Sequence, residues 1–358
     1  MNAILPRLAL LGAAALLSGC TTLSFYWQAF TGQMEVTRLA RPLEEVMADP
    51  GTSADIKRRL AYALRVRDFA SRELGLPDNE SYRRYADLKR PYVVWNVFAA
   101  PELSLELRTQ CFPVAGCVVY RGFFAKDAAE RYASALRVEG LDVYVGGVPA
   151  YSTLGWFADP LLNTFIRYPD LEIARLIFHE LAHQVAYVRD DSSFNESFAV
   201  ALEEEGLRRW ISGHASSAEQ ERYAAFKDRQ RSLLRLFTAA RRSLADAYAG
   251  SGDDGARRQA KARVLQGLAD DYAKLKAGWQ LGEAQLRAYD TWVLSGLNNA
   301  KLGSIATYTR RVPQFKALLD TCNGELRCFF REVSALAALP KDERNRRLDR
   351  LSPESLED

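Results

Sequence analysis

The stretch Leu176-Ile177-Phe178-His179-Glu180-Leu181-Ala182-His183-Gln184-Val185 constrains this chain more than any other. Residues four apart on an α-helix lie one turn above each other, so a helix here puts His179 and His183 on one face, where they can share an ion. Glu180 is one residue on, close enough to reach a water at such an ion but poorly angled to be a ligand. This is the H-E-x-x-H arrangement, in which two imidazoles hold zinc and the carboxylate acts as general base. Leu176, Ile177, Phe178, Leu181, Ala182 and Val185 carry no charge, so the helix is built for burial, and buried imidazoles need partners. With only 3 His in 358 residues, chance yields the pattern on the order of a few times per thousand such chains. That two of the three fall inside it argues against an incidental pair of core histidines.

Catalytic zinc takes three protein donors and leaves a fourth position for water. A third His at the spacing H-E-x-x-H-x-x-G-x-x-H is excluded, because the Gly and His positions hold Ala186 and Arg189. Downstream, Phe194-Asn195-Glu196-Ser197-Phe198-Ala199 opens a second amphipathic helix, and Glu196 is the expected third donor. A local role competes: Ser193-Phe194-Asn195-Glu196 also reads as a capping box, in which Glu only satisfies a backbone amide. The two-His, one-Glu set resembles the gluzincin metallopeptidases, where a Glu on a following helix completes the site, often as Asn-Glu. Together with a lipid signal at Cys20 and Tyr151-Ser152-Thr153-Leu154-Gly155-Trp156 upstream, it looks like the lipoprotein aminopeptidases of Gram-negative bacteria.

That resemblance spans most of the mature chain, although only the metal motif is specific. It implies one Zn²⁺ held by His179, His183 and Glu196, with Glu180 as catalytic base and a peptide as substrate. The sequence departs from the pattern in three ways. The gap from His183 to Glu196 is short, so the loop Arg189 to Ser193 must be tight. The position four after Glu196 is often an Asp that orients a zinc-bound His, and here it is Val200. Glu203, two turns after Glu196 on the same face, is the substitute in reach. The Gly-Ala-Met-Glu-Asn type motif that holds a substrate's terminal ammonium is absent, so the exopeptidase label rests on resemblance alone.

The N-terminus points to export. Arg7, the apolar run Leu8 to Leu17 and Leu17-Ser18-Gly19-Cys20 read as a signal peptide (residues 1–19) ending in a lipobox, with Cys20 as the acylated residue. Thr21 and Thr22 replace the Asp that retains such proteins at the inner membrane. The expectation is a bacterial envelope lipoprotein, anchored to the outer membrane and facing the periplasm. The remaining cysteines fall in two close pairs, Cys111 with Cys117 and Cys322 with Cys328, as two local disulfides would in an oxidising compartment. A formal charge of +3 with dispersed arginines gives no case for nucleic acid.

The expected fold is α+β and predominantly α-helical. Residues 20–35 read as a tether, and 36–90 as N-terminal helices around Leu43 to Met47 and Ser53 to Leu74. A zincin-like core follows over 91–215. In it, strands at Tyr92 to Phe98, Cys117 to Phe124, Leu141 to Val145 and Tyr151 to Trp156 form a small mixed or antiparallel sheet on the H-E-x-x-H helix. Gly146-Gly147 should break the third strand, and the fourth would offer an edge to an extended peptide. Over 216–340, helical periodicity from Ala218 to Tyr248 and from Leu265 to Trp279 predicts a long antiparallel hairpin. Asn298, Asn299 and Tyr308 are polar residues that could line the cleft, with Tyr308 a candidate oxyanion donor. His214 at a helix junction reads as structural rather than as a transition-state stabiliser. Residues 341–358 should be a charged, solvated tail. The alternative to a zinc peptidase is a non-enzymatic envelope lipoprotein with a structural zinc and a partner-binding hairpin. An intact Glu180, useless to a structural site, argues against it.

Overall fold

A computed structural model describes residues 25–112 and 116–351; the signal segment and Cys20 lie outside the described residues. In chain order the N-terminal part runs α1 (25–39), β1 (Arg41–Pro42), α2 (Leu43–Ala48), α3 (Ala54–Arg72) and β2 (Arg84–Ala86). Next come β3 (Val94–Pro101), β4 (Gln110–Phe112), β5 (Gly116–Val118), β6 (Arg121–Phe123), α4 (Lys126–Val138), β7 (Leu141–Val148) and β8 (Leu161–Leu162). The rest is helical: α5 (Asp170–Ala182), α6 (Ser192–His214), α7 (Ser217–Ala249), α8 (Asp254–Ala277), α9 (Glu283–Leu294), α10 (Asn299–Thr309), α11 (Val312–Thr321), α12 (Leu326–Ala337) and α13 (Lys341–Asp349). The chain is predominantly helical with small sheets, as expected of an α+β protein.

The apolar residues around the two histidines build the main core. Ile173, Ala174, Leu176, Ile177, Phe178, Leu181 and Ala182 of α5 are all buried, against α3 and α6, in a core that α11 and α12 extend. Each large apolar side chain taken fully out of water contributes about 1.5–3 kcal/mol, so α5 is fixed from every side. The sheet lies elsewhere than expected. The antiparallel sheet β6-β3-β7 packs α4 on one face through Ala129, Ala133 and Leu136, and meets α10 through Phe98, Ala100 and Ala300 on the other. The strands that share the core of α5 belong to a smaller mixed sheet, β1-β2-β8, through Ala86, Leu161 and Leu162.

Other expectations are corrected as well. Residues 25–39, assigned in large part to a tether, form α1, whose Val36 is buried in the core. β7 continues through Gly146-Gly147 because the ring of Tyr92 covers the bare backbone, where a Cβ on Gly147 would lie 2.3 Å from it. Tyr151 to Trp156 is a loop rather than a strand, turning through left-handed Leu154 (φ 57°) and Gly155 (φ 82°), with Trp156 79% exposed. Asn298 and Asn299 do not line a cleft. Asn298 caps α10 and donates to Val143 O, while Asn299 bonds Asp142, Glu102 and Tyr248, so the pair fastens α10 to the edge of β7. The hairpin is present as α7 and α8, joined through Leu233, Phe237, Leu244, Leu268 and Tyr272. Both cysteine pairs are bonded, Cys111–Cys117 across β4 and β5 and Cys322–Cys328 across the turn between α11 and α12.

The charged tail is not simply solvated. Within α13, Arg344 and Leu348 are buried, and the Arg344 guanidinium donates twice to Asp191 Oδ2, at 2.8 and 3.1 Å. Asp191 is the N-cap of α6, accepting from Phe194 N at 3.1 Å. Removing one partner of a buried ion pair leaves an uncompensated charge, at a cost of about 3–5 kcal/mol. Arg344→Ala should therefore lower unfolding stability by about 3 kcal/mol in denaturant titrations. A loss no larger than that of an exposed control such as Arg347→Ala would show that α13 does not hold α6.

Candidate metal and catalytic centre

Helix α5 ends at Ala182 with His183 as its C-cap, still in helical geometry, so the four-residue spacing does bring the two imidazoles together. Their ring centroids are 5.0 Å apart with the planes at 83°. Opposite them, α6 presents Glu196. Its Oε2 lies 3.3 Å from His179 Nε2 and 3.7 Å from His183 Nε2. All three side chains are buried or nearly so, and their donor atoms lie within 4.8 Å of one another.

The short connection between α5 and α6 is made possible by Asn195. Its side chain accepts from Val188 N at 2.7 Å and donates to Val188 O at 2.8 Å, pinning the loop, while Asp190 takes a left-handed φ of 68°. The capping box is not formed: Asp191 is the cap, two residues earlier than Ser193 would require, and Ser193 Oγ has no partner among the described residues. Glu196 is thereby left free to turn inward.

Behind the cluster a charged chain orients one imidazole. His179 Nδ1 donates to Glu203 Oε2 at 2.8 Å, and Glu203 is gripped by Arg175 Nη1 at 3.0 and 3.1 Å. Arg175, one turn before His179 on α5, also holds Glu172 through Nε at 2.9 Å. Glu203 thus occupies the place that Val200 leaves open, two turns along α6 from Glu196. On the other side, Gln184 bonds Asn79 and Ser81, in a loop clamped by the fully buried guanidinium of Arg67 on Ser81 O, Pro77 O and Asn79 O. His183 Nδ1, in contrast, is buried with no partner among the described residues.

The electrostatics follow from burial. Desolvation opposes a charge on His179, but hydrogen bonds to Glu196 and Glu203 win and push it up to about 10. Desolvation pulls His183 down to about 4, leaving it neutral with a free lone pair. Glu196 and Glu203 are held below the usual carboxylate range despite desolvation, the first by His179 and the second by Arg175. Glu180 is raised to about 7 by burial, which outweighs the pull of His179 and is aided by the charges of Glu196 and Asp159. Donors about 2.0–2.2 Å from one tetrahedral ion stand roughly 3.3–3.6 Å apart, close to the two spacings that Glu196 Oε2 makes with the imidazoles. His179, His183 and Glu196 are therefore the set that could hold a small cation, beside a carboxyl poised near neutral pH.

Several neighbours carry no sequence signal. Asp159, on the loop before β8, is buried and accepts from Thr153 N at 3.0 Å and Thr153 Oγ1 at 2.7 Å; burial raises it to about 6. Tyr82 is buried at left-handed φ 65°, its hydroxyl unpartnered among the described residues and raised by burial and by the charges of Glu180 and Asp159. Tyr308 and Tyr120 are also pushed up, by burial and then by Glu196, with Glu180 a smaller influence on both. Both rings are thus near enough to feel the charge of Glu196. His214 is remote: it stacks on Trp210 at 4.0 Å and 3°, at the far end of α6. At 1.5 Å per residue that is about 27 Å along the helix from Glu196.

A protein family described as "Putative aminopeptidase" matches residues 24–348. The chain belongs to this family. No curated protein and no solved structure matches it. Membership makes peptide hydrolysis the family activity and peptides the substrate class. The match covers the described part of α1 and all but the last residue of α13, so both lie within the family's extent.

Asp159 gives a measurable pH signature. Below about pH 4 both folded and unfolded chains hold its proton; between about 4 and 6 only the folded chain does, and above 6 the fold must carry a buried charge. Stability from this group is therefore greatest at low pH and is lost as pH rises through about 6, by roughly 1.4 kcal/mol per pH unit over that window. Urea unfolding of wild type and Asp159→Asn from pH 4.5 to 7.5 should show wild type losing ground against the variant. A constant difference would rule out burial as the cause.

Proposed function

We propose that this family member is a zinc-dependent peptidase in which His179 Nε2, His183 Nε2 and Glu196 hold one Zn²⁺. The observation that carries the reading is the convergence of Glu196 Oε2 on both imidazoles, at 3.3 and 3.7 Å, beside a buried Glu180. When bound, such an ion lowers the pKa of a water toward about 7 and polarises a scissile carbonyl. Glu180 takes the proton of the attacking water and delivers it to the leaving amine, a task matched to a carboxyl raised to about 7. Glu203, backed by Arg175, fixes the tautomer and the ring plane of His179. Tyr308 and Tyr120, kept protonated by burial, are donors available to the developing oxyanion.

In the same reading the core is that of a gluzincin, the exopeptidase label follows the family description, and Cys20 carries the lipid that holds the enzyme to the envelope. Among the described residues no helix is long and apolar enough to cross a membrane.

Metal analysis and a peptide library with free and blocked N-termini test the proposal together. One zinc per chain and cleavage are expected; cleavage of free N-termini alone makes it an aminopeptidase, and cleavage of both an endopeptidase. A metal-free protein that cleaves peptides unaided removes zinc from the account. Glu180→Gln should keep the zinc and lose about 10²–10⁴ in kcat, and full activity would remove the base assignment. Glu203→Gln should weaken zinc binding about 10- to 100-fold in competition with a chelator, while unchanged affinity would leave Glu203 a purely structural role.

A further inference from the structure

Helix α1 carries apolar residues on both sides. Phe25, Val36 and Leu39 pack inward, and so do several of its polar side chains. Gln28 donates to Gly122 O at 3.3 Å and accepts from Phe124 N at 3.0 Å, Gln33 accepts from the Tyr151 hydroxyl, and Glu35 pairs with Arg90 at 2.8 Å. Gly32 lets the helix lie flat on Phe124, where a Cβ would fall 2.1 Å from the ring. The outward face carries large apolar residues as well: Trp27 is 67% exposed, Phe30 58% and Met34 40%. At 100° per residue these three fall within an arc of about 60°. Thr31 and Thr37 share the outward side, but their hydroxyls turn back on the carbonyls of Trp27 and Gln33. Arg38 supplies the only charge on that side, and no acid lies there.

A surface helix of a globular protein keeps charged and polar residues on its outward face, so this stripe is made for an apolar surrounding. The sequence says which. Four residues separate Cys20 from Phe25, the first described residue of α1, and five Cα–Cα steps span at most about 18 Å. A lipid on Cys20 therefore keeps α1 at the bilayer surface. Trp is enriched where hydrocarbon meets headgroups, and helices of this character lie in that interface.

We propose that the outward face of α1, formed by Trp27, Phe30 and Met34, is a membrane-contact surface that lies in the interface of a phospholipid bilayer and fixes how the enzyme stands on it. The proposal rests on the lipid attachment read at Cys20. Arg38 adds attraction to anionic headgroups. The acyl chains hold the protein to the membrane, and α1 adds an orientation that a flexible tether would not give.

The test uses the full lipidated chain reconstituted into phosphatidylethanolamine–phosphatidylglycerol vesicles whose acyl chains are brominated. Part of the tryptophan emission should be quenched, and that part should vanish in Trp27→Phe. In Phe30→Ser/Met34→Ser the Trp27 quenching should fall by about half or more, with peptide hydrolysis in detergent unchanged. Equal quenching in wild type and Trp27→Phe overturns the proposal. So does a concentration-dependent dimer in sedimentation that Phe30→Ser/Met34→Ser abolishes in the absence of quenching, which assigns the stripe to a second copy. Mass analysis separates the two readings. An acyl chain without Trp27 quenching sinks the surface and leaves the anchor; Trp27 quenching without an acyl chain sinks the anchor and leaves the surface.

Discussion

Three ionisable side chains, held out of water with their donor atoms within 4.8 Å of one another, set the terms for everything around them. Buried imidazole and carboxylate are tolerated only when their charges are matched. The fold offers two ways to do that. Without a metal, a proton on His179 balances Glu196, which is why the first rises and the second falls. With a cation between the donors, that proton must leave, so loading and protonation compete for one place. Arg175 and Glu203 extend the alternation of sign outward from the site, so no charge in the chain is left alone.

The elements around α5 and α6 follow from this demand for rigidity. Asn195 closes the loop between the two helices, Arg67 stiffens the segment that meets Gln184, and Arg311 N bonds Ser197 Oγ at 3.1 Å from the start of α11. α10, strapped to the sheet by Asn298 and Asn299, carries Tyr308 within the electrostatic influence of Glu196. The sheet therefore acts on the site at one remove, through α10, rather than by lying on the helix that bears the histidines.

What the sequence revealed was what local periodicity encodes. A spacing of four placed His179 and His183 on one face, and a spacing of seven placed Glu203 in line with Glu196. Those are properties of one helix at a time. Glu196 itself required chemistry, the need for a third donor, to be preferred over a capping role, and Asp191 proved to be the cap. The missed groups all depend on tertiary approach. Asp159, Tyr82 and Tyr120 come from loops and strand ends with no motif, and only the fold brings them near Glu180. The tether and tail were misjudged for a related reason. Composition cannot show that Gln28 has a backbone partner at Gly122, or that one arginine among many in the last helix finds a buried aspartate.

The bond between Arg344 and Asp191 also bears on how the chain folds. The two residues are 153 positions apart, and the long hairpin lies between them. Closing a loop of that length is slow, so the start of α6, and with it the helix that bears Glu196, gains its buried counter-charge through a contact of high sequence separation.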